Sequence, residues 1–411
     1  MTIPVRSMAT LALAMAWSGN AAGGQWMTSW YAAPQPGWDS SFLLPMNVPA
    51  RLGRHTVRES VRLSAGGTRM RLVFSNRYGK APVPLADVRV ARSGAGREHM
   101  LTFSGKSTVT ILPGATVTSD PVAFPAAPLA RLRVTSYLPA ATAVTSFHWG
   151  GQQTFQLALG NSTRFAPGAR VQGRLFLSAV MVKASEGSRT VVALGDSITD
   201  GNGSTPDADR RWTDVLAERL APHGIAVANA GISGARLLKD GMGQHALARF
   251  EADVLGQPGI SDVIVLLGIN DIGWPGSPFA PTERAVTVEE LGAGYRQLVA
   301  AAHARGVRIT AGTLPPFEGA LEGTPYAGHY SLEKERVRQQ LNHWIRSAGI
   351  FDAVVDFDAV LRDPARPGRM HAAFDSGDHL HPGDAGYRAM AAAVDIAALS
   401  KRATLPPASP Q

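Results

Sequence analysis

The feature that most restricts the fold is a change in hydrophobic periodicity near the middle of the chain. Before it, over residues 24–183, short apolar runs are divided by Gly, Pro, Ser and Asn. Met70, Leu72 and Phe74 share one side of such a run, and Arg71 falls on the other. Alternation with period two over short runs is typical of half-buried strands. The first region is therefore predicted to be an antiparallel β-sandwich or jelly roll.

After residue 188 the pattern changes, because apolar strand-like runs now alternate with stretches of helical spacing. The predicted strands are 191–194, 226–228, 263–267, 309–313 and 354–357, and the predicted helices are 212–220, 245–255, 288–304, 332–348 and 384–399. Alternating β and α units of this length predict a parallel sheet covered by helices on both faces, a three-layer α/β/α sandwich. Functional residues are then expected at the carboxyl ends of the strands.

The amino terminus has the order of features found in secretory signal peptides. Arg6 precedes an apolar run over residues 8–17, which small and polar residues follow. That run is about half of the roughly 20 residues that a membrane-spanning helix needs. We therefore expect a protein that is secreted or periplasmic and has no stable membrane insertion. The predicted organisation is a signal peptide (1–22), a β-sandwich domain (23–186), an α/β domain (187–402) and a disordered tail (403–411).

Composition excludes several classes of function. The chain has no cysteine, which rules out disulfides, thiolate metal sites and cysteine nucleophiles. Its net charge is +8, but the basic residues are scattered and no block of like charge occurs. Aromatic residues do not interleave with them, as a stacking platform for nucleic acid would require. A nucleic-acid partner is therefore not expected.

The residues best suited to chemistry follow the first predicted strand of the α/β region. The segment 195–201 reads Gly-Asp-Ser-Ile-Thr-Asp-Gly and places Ser197 where a strand turns toward a helix. A serine hydroxyl becomes a strong nucleophile only beside a base that a carboxylate orients. Near the end of the chain, Asp378 precedes His381 by three residues, a separation that one loop or helical turn can close. The pattern predicts Ser197 as nucleophile, His381 as base and Asp378 as the orienting carboxylate.

Two further segments follow the second and third strands and could stabilise an oxyanion. Residues 229–234 read Asn-Ala-Gly-Ile-Ser-Gly, in which Gly231 would let backbone N–H groups approach a substrate closely. Residues 268–271 read Gly-Ile-Asn-Asp, and the amide of Asn270 can donate a hydrogen bond. Together with the N–H of Ser197, these groups would supply three donors.

Taken in their order along the chain, these four segments resemble the motif blocks of the SGNH (GDSL-type) hydrolase family. The resemblance covers about residues 190–400, and it implies the same three-layer fold, a serine esterase activity and no cofactor or metal. Residue by residue, it implies the roles already given to Ser197, Gly231, Asn270, Asp378 and His381. The first region resembles, more weakly, β-sandwich domains that are appended to some family members.

Several alternatives compete with this interpretation. His379 could replace His381 as the base, and Asp375 could replace Asp378 as its partner. The Asp and His residues at 378–384 could in principle bind a metal, although no His-Glu-x-x-His pattern accompanies them. Residues 241–246 fit a dinucleotide glycine pattern on paper, but no strand precedes them.

The resulting hypothesis is a secreted esterase that hydrolyses short acyl esters, such as O-acetyl groups on carbohydrate. The expected partner is a small-molecule or carbohydrate ester. Loops 274–279 and 317–330 are expected to wall the site, since loops set substrate choice. The alternatives are a lysophospholipase or thioesterase, an O-acyltransferase that uses the same triad, and a non-catalytic glycan-binding protein.

Overall fold

The structure is a computed structural model, and it describes residues 24–94, 96–161 and 168–400. Within these residues it confirms the predicted fold class, an antiparallel β region followed by a parallel α/β sheet. The predicted signal peptide and disordered tail lie outside the described residues. None of the helices that the structure describes is long and apolar enough to span a membrane.

The first region has two large antiparallel sheets packed face to face and, among the described residues, two small two-stranded ones. Its strands are β1 (Gln25–Tyr31), β2 (Gln35–Pro36), β3 (Arg51–Leu52), β4 (His55–Arg62), β5 (Gly67–Ser75), β6 (Val83–Arg92), β7 (His99–Met100), β8 (Thr108–Ile111), β9 (Thr116–Thr118), β10 (Val122–Ala126), β11 (Arg131–Leu138), β12 (Thr142–Ala143), β13 (Ser146–Phe147), β14 (Thr154–Leu159), β15 (Arg170–Gln172) and β16 (Leu177–Ala184). Among the described residues one sheet has the order β1-β16-β5-β10, with β9 on β5. The other has the order β15-β14-β4-β11-β6-β7, with β8 on β6.

Alternation of side chains explains why this region forms a sandwich. In β5, Met70, Leu72 and Phe74 are buried between the sheets, whereas Arg69 is exposed on the outer face. Successive residues of a strand point to opposite faces, so this pattern buries one face of each sheet. The predicted alternation in this strand is confirmed.

The second region is a parallel sheet of five strands in the described chain, with the order β18-β17-β19-β20-β21. Its elements are β17 (Arg189–Gly195), α1 (Ser197–Asp200), α2 (Trp212–Leu220), β18 (Ile225–Gly231), α3 (Ala246–Phe250), β19 (Ile260–Leu266), α4 (Ile269–Gly273), α5 (Val288–Ala304), β20 (Arg308–Gly312), α6 (Leu332–Ser347), β21 (Ala353–Val355), α7 (Phe357–Leu361), α8 (Asp384–Ala393) and α9 (Ile396–Ser400). The helices contact one another in two groups, α2 with α7 and α8, and α3 to α6. The strands between them are almost wholly buried, as in sheets covered on both faces.

Helix boundaries follow from capping. α5 begins after Thr287, whose hydroxyl accepts from the backbone N–H of Glu290 while the Glu290 carboxylate accepts from the N–H of Thr287. This reciprocal arrangement is a capping box. It makes α5 coincide with the predicted helix 288–304.

Two predicted helices are interrupted. The segment predicted at 245–255 is α3 followed by a π-helical turn over Glu251–Leu255. The last one divides into α8 and α9, because Val394 has extended backbone angles (φ −71°, ψ 123°). The strand predicted at 354–357 ends at Val355, and α7 begins two residues later.

The two regions share an extensive interface. β1 packs along β18, and Ala32, the residue after β1, forms a parallel bridge with Asn229. In the middle of β1, the N–H of Thr28 donates to the carbonyl of Pro258 over 2.9 Å. The sandwich therefore contacts the parallel sheet along the second half of β1.

Candidate active site

Ser197 lies at the carboxyl edge of the parallel sheet, where β17 turns into α1. Asp196 is the N-cap of this helix, and its Oδ1 accepts from the N–H of Ile198 over 3.0 Å. Such a cap satisfies one of the free N–H groups of the first turn. The serine is consequently the first residue of α1 and is 5% exposed.

The structure brings the predicted nucleophile, base and orienting carboxylate together. His381 Nε2 lies 2.8 Å from Ser197 Oγ, and His381 Nδ1 lies 2.6 Å from Asp378 Oδ2. The other carboxylate oxygen of Asp378 accepts from the backbone N–H groups of His381 (2.8 Å) and Leu380 (2.9 Å). The carboxylate thus fixes both the imidazole ring and the loop that carries it.

The surroundings of Asp378 favour its ionised form. Burial opposes the charge, but the hydrogen bond and charge of His381 and the two backbone N–H groups outweigh it. Their sum holds the pKa of the Asp378 carboxyl well below its usual range.

The competing pair identified in the sequence is separate from this group. His379 Nδ1 lies 2.5 Å from Asp375 Oδ2, and the His379 N–H donates to Asp375 Oδ1 over 3.1 Å. Asp375 also accepts from the N–H of Gly377 over 2.8 Å. Each carboxylate therefore holds its own histidine, and Asp375 serves its own turn.

The segment after β19 holds the loop that follows β18. The Nδ2 of Asn270 donates to the carbonyl of Ala235 over 3.0 Å, which leaves its second amide proton available. Asp271 accepts from the N–H groups of Leu237 (2.7 Å) and Leu238 (3.0 Å). Burial raises the pKa of Asp271 to about 6, and these two N–H groups oppose that rise.

The structure places Gly231 at the end of β18, with its backbone N–H in a hydrogen bond. Its N–H donates to Oδ1 of Asn229 over 2.9 Å, so this donor is already engaged inside its own segment. A Cβ on Gly231 would collide with the backbone N of Asp200. The glycine therefore permits close packing of β18 against α1, and an oxyanion role would require its N–H to be released.

One contact at the site was not predicted from the sequence. His148, in the loop after β13 of the sandwich, places its Nε2 2.9 Å from Oδ1 of Asp200. The second oxygen of Asp200 accepts from Ser233 Oγ over 2.7 Å. A separation of 52 residues along the chain and the absence of a motif around His148 explain why spacing could not reveal this pair.

A second contact that the sequence did not reveal lies below the site. The guanidinium of Arg249 is fully buried and donates to the carbonyls of Ala230 (2.7 Å) and Gly195 (3.0 Å), which end β18 and β17. It also pairs with Asp253, which accepts from Tyr31 of the sandwich. Both strand ends beneath Ser197 are thus tied to one cation.

Aromatic rings from the predicted wall loops pack beside this edge. Trp274 and Phe279 stack at 4.9 Å, and Phe279 stacks on Tyr326 at 5.6 Å. A Cβ on Gly234 would lie 3.0 Å from the Trp274 ring, so the tryptophan packs directly on the loop that follows β18. A cavity of about 1360 Å³ lies elsewhere, on the outer face of the sheet that contains β1.

Comparison with known proteins assigns a family to the α/β region. This region is a carboxylic ester hydrolase domain of the GDSL type. Residues 193–389 match the GDSL-like lipase/acylhydrolase family and form its domain in this chain. Comparison with curated proteins gives no significant match.

Solved structures similar to this chain cover about half of it. They include a GDSL-like lipase from Bacteroides thetaiotaomicron (20% identity, 51% of this chain and 88% of that chain, TM-score 0.38). An α/β hydrolase from the metagenome of Lake Arreo, Spain, has 23% identity and covers 53% of this chain and 97% of its own, with a TM-score of 0.38. A catalytic mutant of an acetylxylan esterase from Geobacillus stearothermophilus has 25% identity, with 50% and 93% coverage and a TM-score of 0.35.

Proposed function

We propose that this chain is a secreted serine esterase with Ser197, His381 and Asp378 as its catalytic triad. The observation that carries the proposal is the continuous chain of hydrogen bonds from Asp378 through His381 to Ser197, at 2.6 and 2.8 Å. An imidazole between a carboxylate and a hydroxyl is the arrangement that activates a serine. The predicted signal peptide, residues 1–22, supports export.

In the proposed reaction, Ser197 Oγ attacks the carbonyl carbon of an ester while His381 Nε2 takes the hydroxyl proton. Asp378 stabilises the imidazolium that forms. His381 then gives this proton to the leaving alcohol, and the acyl group remains on Ser197. A water molecule, deprotonated by His381, attacks the acyl-enzyme and releases the carboxylic acid, which restores the free serine.

Three donors would stabilise the oxyanion formed in each half of this reaction. Two are the N–H of Ser197 and the side-chain amide of Asn270, as the sequence predicts. For the third we propose Gly234 in place of Gly231, whose N–H is engaged with Asn229. Asn270 binds the carbonyl of Ala235, the residue after Gly234, and Gly234 has a left-handed φ of +70°, which places this peptide beside the amide.

The substrate we propose is a short acyl ester, such as an O-acetyl group on carbohydrate. The loop that follows β18 carries the proposed donor Gly234, and we call it the oxyanion loop. Space beside this loop is small, because a Cβ on Gly234 would lie 2.6 Å from Met242 Sδ and 3.0 Å from Trp274. Close packing there supports a small acyl group over a long chain. Ser197 and His381 are only 5% and 9% exposed, which also supports a compact substrate group.

The first experiment measures release of 4-nitrophenol from its acetate and octanoate esters by the parent, Ser197→Ala and His381→Ala. Loss of nucleophile or base in a comparable triad costs on the order of 10⁶-fold in kcat, so both variants are expected to fall to background. Acetate is expected to be the better substrate. Equal rates for all three proteins would rule out the triad.

A second assay addresses the natural substrate. Acetate release from an acetylated polysaccharide supports the carbohydrate hypothesis, whereas hydrolysis of long-chain lysophospholipid alone contradicts it. Adding a deacetylated sugar to the same assay separates transfer from hydrolysis, since an acyltransferase would move the acetyl group to the sugar instead of water.

A further inference from the structure

A histidine from the β-sandwich lies beside α1, the short helix that begins at Ser197 and that we call the nucleophile helix. The main chain of His148 is fixed by reciprocal hydrogen bonds with Arg174, at 2.9 and 2.8 Å. Its side chain points out of the sandwich and reaches Asp200 at the end of α1. The side chains of His148 and Asp200 are 5% and 1% exposed, so the contact is shielded from solvent.

Both ring nitrogens of His148 face hydrogen-bond acceptors. Nδ1 lies 2.8 Å from the carbonyl oxygen of Ala33, and Nε2 lies 2.9 Å from Oδ1 of Asp200. A carbonyl oxygen only accepts, and an ionised carboxylate only accepts. Contacts at both ring nitrogens therefore fix the orientation of the His148 side chain.

Asp200 connects two segments of the active site. It lies on the same short helix as Ser197, three residues further on. Its second oxygen accepts from Ser233 Oγ over 2.7 Å, and Ser233 immediately precedes Gly234 in the proposed oxyanion loop. One carboxylate therefore joins the nucleophile helix to the oxyanion loop.

A cation near this carboxylate has a partner of its own. Arg211 packs against Gly201, but its guanidinium binds both oxygens of Asp214, at 2.7 and 2.9 Å. Among the described residues, His148 is thus the basic side chain within hydrogen-bond distance of the Asp200 carboxylate.

We propose that His148 is a positioning residue of the active site, which fixes Asp200 and thereby holds Ser197 and the oxyanion loop in their relative geometry. The proposal rests on the esterase function proposed above. It makes the β-sandwich a part of the catalytic apparatus rather than a separable accessory domain. Misplacement of reacting groups by about 1 Å can cost on the order of 100-fold in rate, which is the size of effect expected here.

The test compares His148→Phe, which keeps a ring but removes both N–H groups, with His148→Gln, whose amide can still donate to Asp200. The matched control is Thr28→Val. Thr28 is as deeply buried and donates to Gln257 over 3.0 Å across the same interface, but at the opposite edge of the parallel sheet. The readouts are kcat and KM for 4-nitrophenyl acetate, and the rate at which a fluorophosphonate labels Ser197.

His148→Phe is expected to lose about 100-fold in kcat and in labelling rate, with KM within about threefold of the parent. His148→Gln should regain part of that loss, and Thr28→Val should match the parent. A purely structural contact predicts the opposite, namely similar kinetics for His148→Phe and Thr28→Val at equal melting temperatures. That result would overturn the proposal.

Asp200→Asn provides a second route if His148→Phe does not fold, because it keeps the shape of the side chain and weakens the same contact. It should lower kcat and labelling in the same way, and parent-like rates would contradict the proposal. A parent protein without esterase activity would refute the proposed function instead. The labelling rates of Ser197 would then still decide the role of His148.

Discussion

Two regions of the molecule each bring a histidine–aspartate pair to the nucleophile helix, and the pairs differ in what the second ring nitrogen meets. In the loop at 378–381, His381 faces the hydroxyl of Ser197. In the sandwich, His148 faces the carbonyl of Ala33. A hydroxyl can give up a proton and a carbonyl cannot. The same two residue types are therefore suited to proton transfer in one region and to a fixed hydrogen bond in the other.

The two pairs also differ in how far apart their residues lie along the chain. Asp378 and His381 are three residues apart, so one loop orients both. His148 and Asp200 are 52 residues apart, and they meet only when the sandwich packs on the parallel sheet. This comparison is tested by substitutions that affect proton transfer in one pair and the positioning of the active site in the other.

The largest effect in this comparison is expected for Asp378→Asn. An amide in place of the carboxylate selects the wrong tautomer of the imidazole and removes the charge that stabilises the imidazolium. By analogy with serine proteases, kcat should fall about 10⁴-fold. Steady-state kinetics with 4-nitrophenyl acetate measures this loss. A fall no larger than that of His148→Phe would erase the distinction between the two pairs.

The control for Asp378→Asn is His379→Asn in the neighbouring pair. His379 has a left-handed φ of +60°, and asparagine tolerates this conformation better than most residues. The variant removes an imidazole next to His381 without forcing the turn to change. Its kcat should stay close to that of the parent. A large loss would return His379 to consideration as the base.

Next in size is the effect of Asn270→Ala. Removing one oxyanion donor typically costs about 100- to 1000-fold in kcat. The variant also removes the hydrogen bond to the carbonyl of Ala235, the residue that follows Gly234. Asp200 instead contacts Ser233, the residue that precedes Gly234. The expected signature is a fall in kcat with little change in KM. A change confined to KM would show that Asn270 binds substrate rather than the oxyanion.

The smallest effect is expected on thermal stability, for Asp196→Asn. Asp196 directly precedes Ser197, and its carboxyl group caps α1. Burial raises its pKa to about 7, against the opposing hydrogen bond from Ile198. A folded-state pKa above the unfolded value stabilises the fold at acid pH, and this contribution is lost as the pH rises through about 7. Asp196→Asn resembles the protonated carboxyl and can still cap α1.

The melting temperature of Asp196→Asn relative to the parent should therefore increase between about pH 4 and pH 8, by roughly a few degrees. Thermal unfolding of both proteins across this range measures the difference. Parallel curves would mean that Asp196 is ionised throughout, like Asp378.

Local signals account for the parts of the fold that the sequence predicted. The predicted bounds of helix α5 match the observed ones, where its periodicity and its capping residues, Thr287 and Glu290, agree. Ser197 of the proposed triad is recognisable because it follows a strand end, and Asp378 and His381 are recognisable because they lie three residues apart. Strand β6 was missed, although its apolar residues alternate and Val88 and Val90 are fully buried. Its pairing with β11 is a long-range interaction, which a short window of sequence does not encode.

The choice between two glycines at the site has a similar origin. Gly231 and Gly234 are both glycines in one predicted loop, and composition does not distinguish an N–H engaged with Asn229 from one that faces a substrate. Residues 101–103, Leu-Thr-Phe, alternate as they would in a strand. The structure instead forms an isolated bridge between Phe103 and Lys106 across a tight turn, because Ser104 and Gly105 both have positive φ.

The position of β1 has a consequence for how the chain avoids self-association. β1 is hydrogen-bonded to β16 at one border of the sandwich and packs along β18, the outermost strand of the parallel sheet. An uncovered border strand offers unpaired N–H and C=O groups to other chains and invites aggregation. One strand of seven residues thus covers β16 by hydrogen bonding and also lies along β18, with a bridge at Ala32, the residue that follows it. Loss of this strand would expose the border of β16 to other chains.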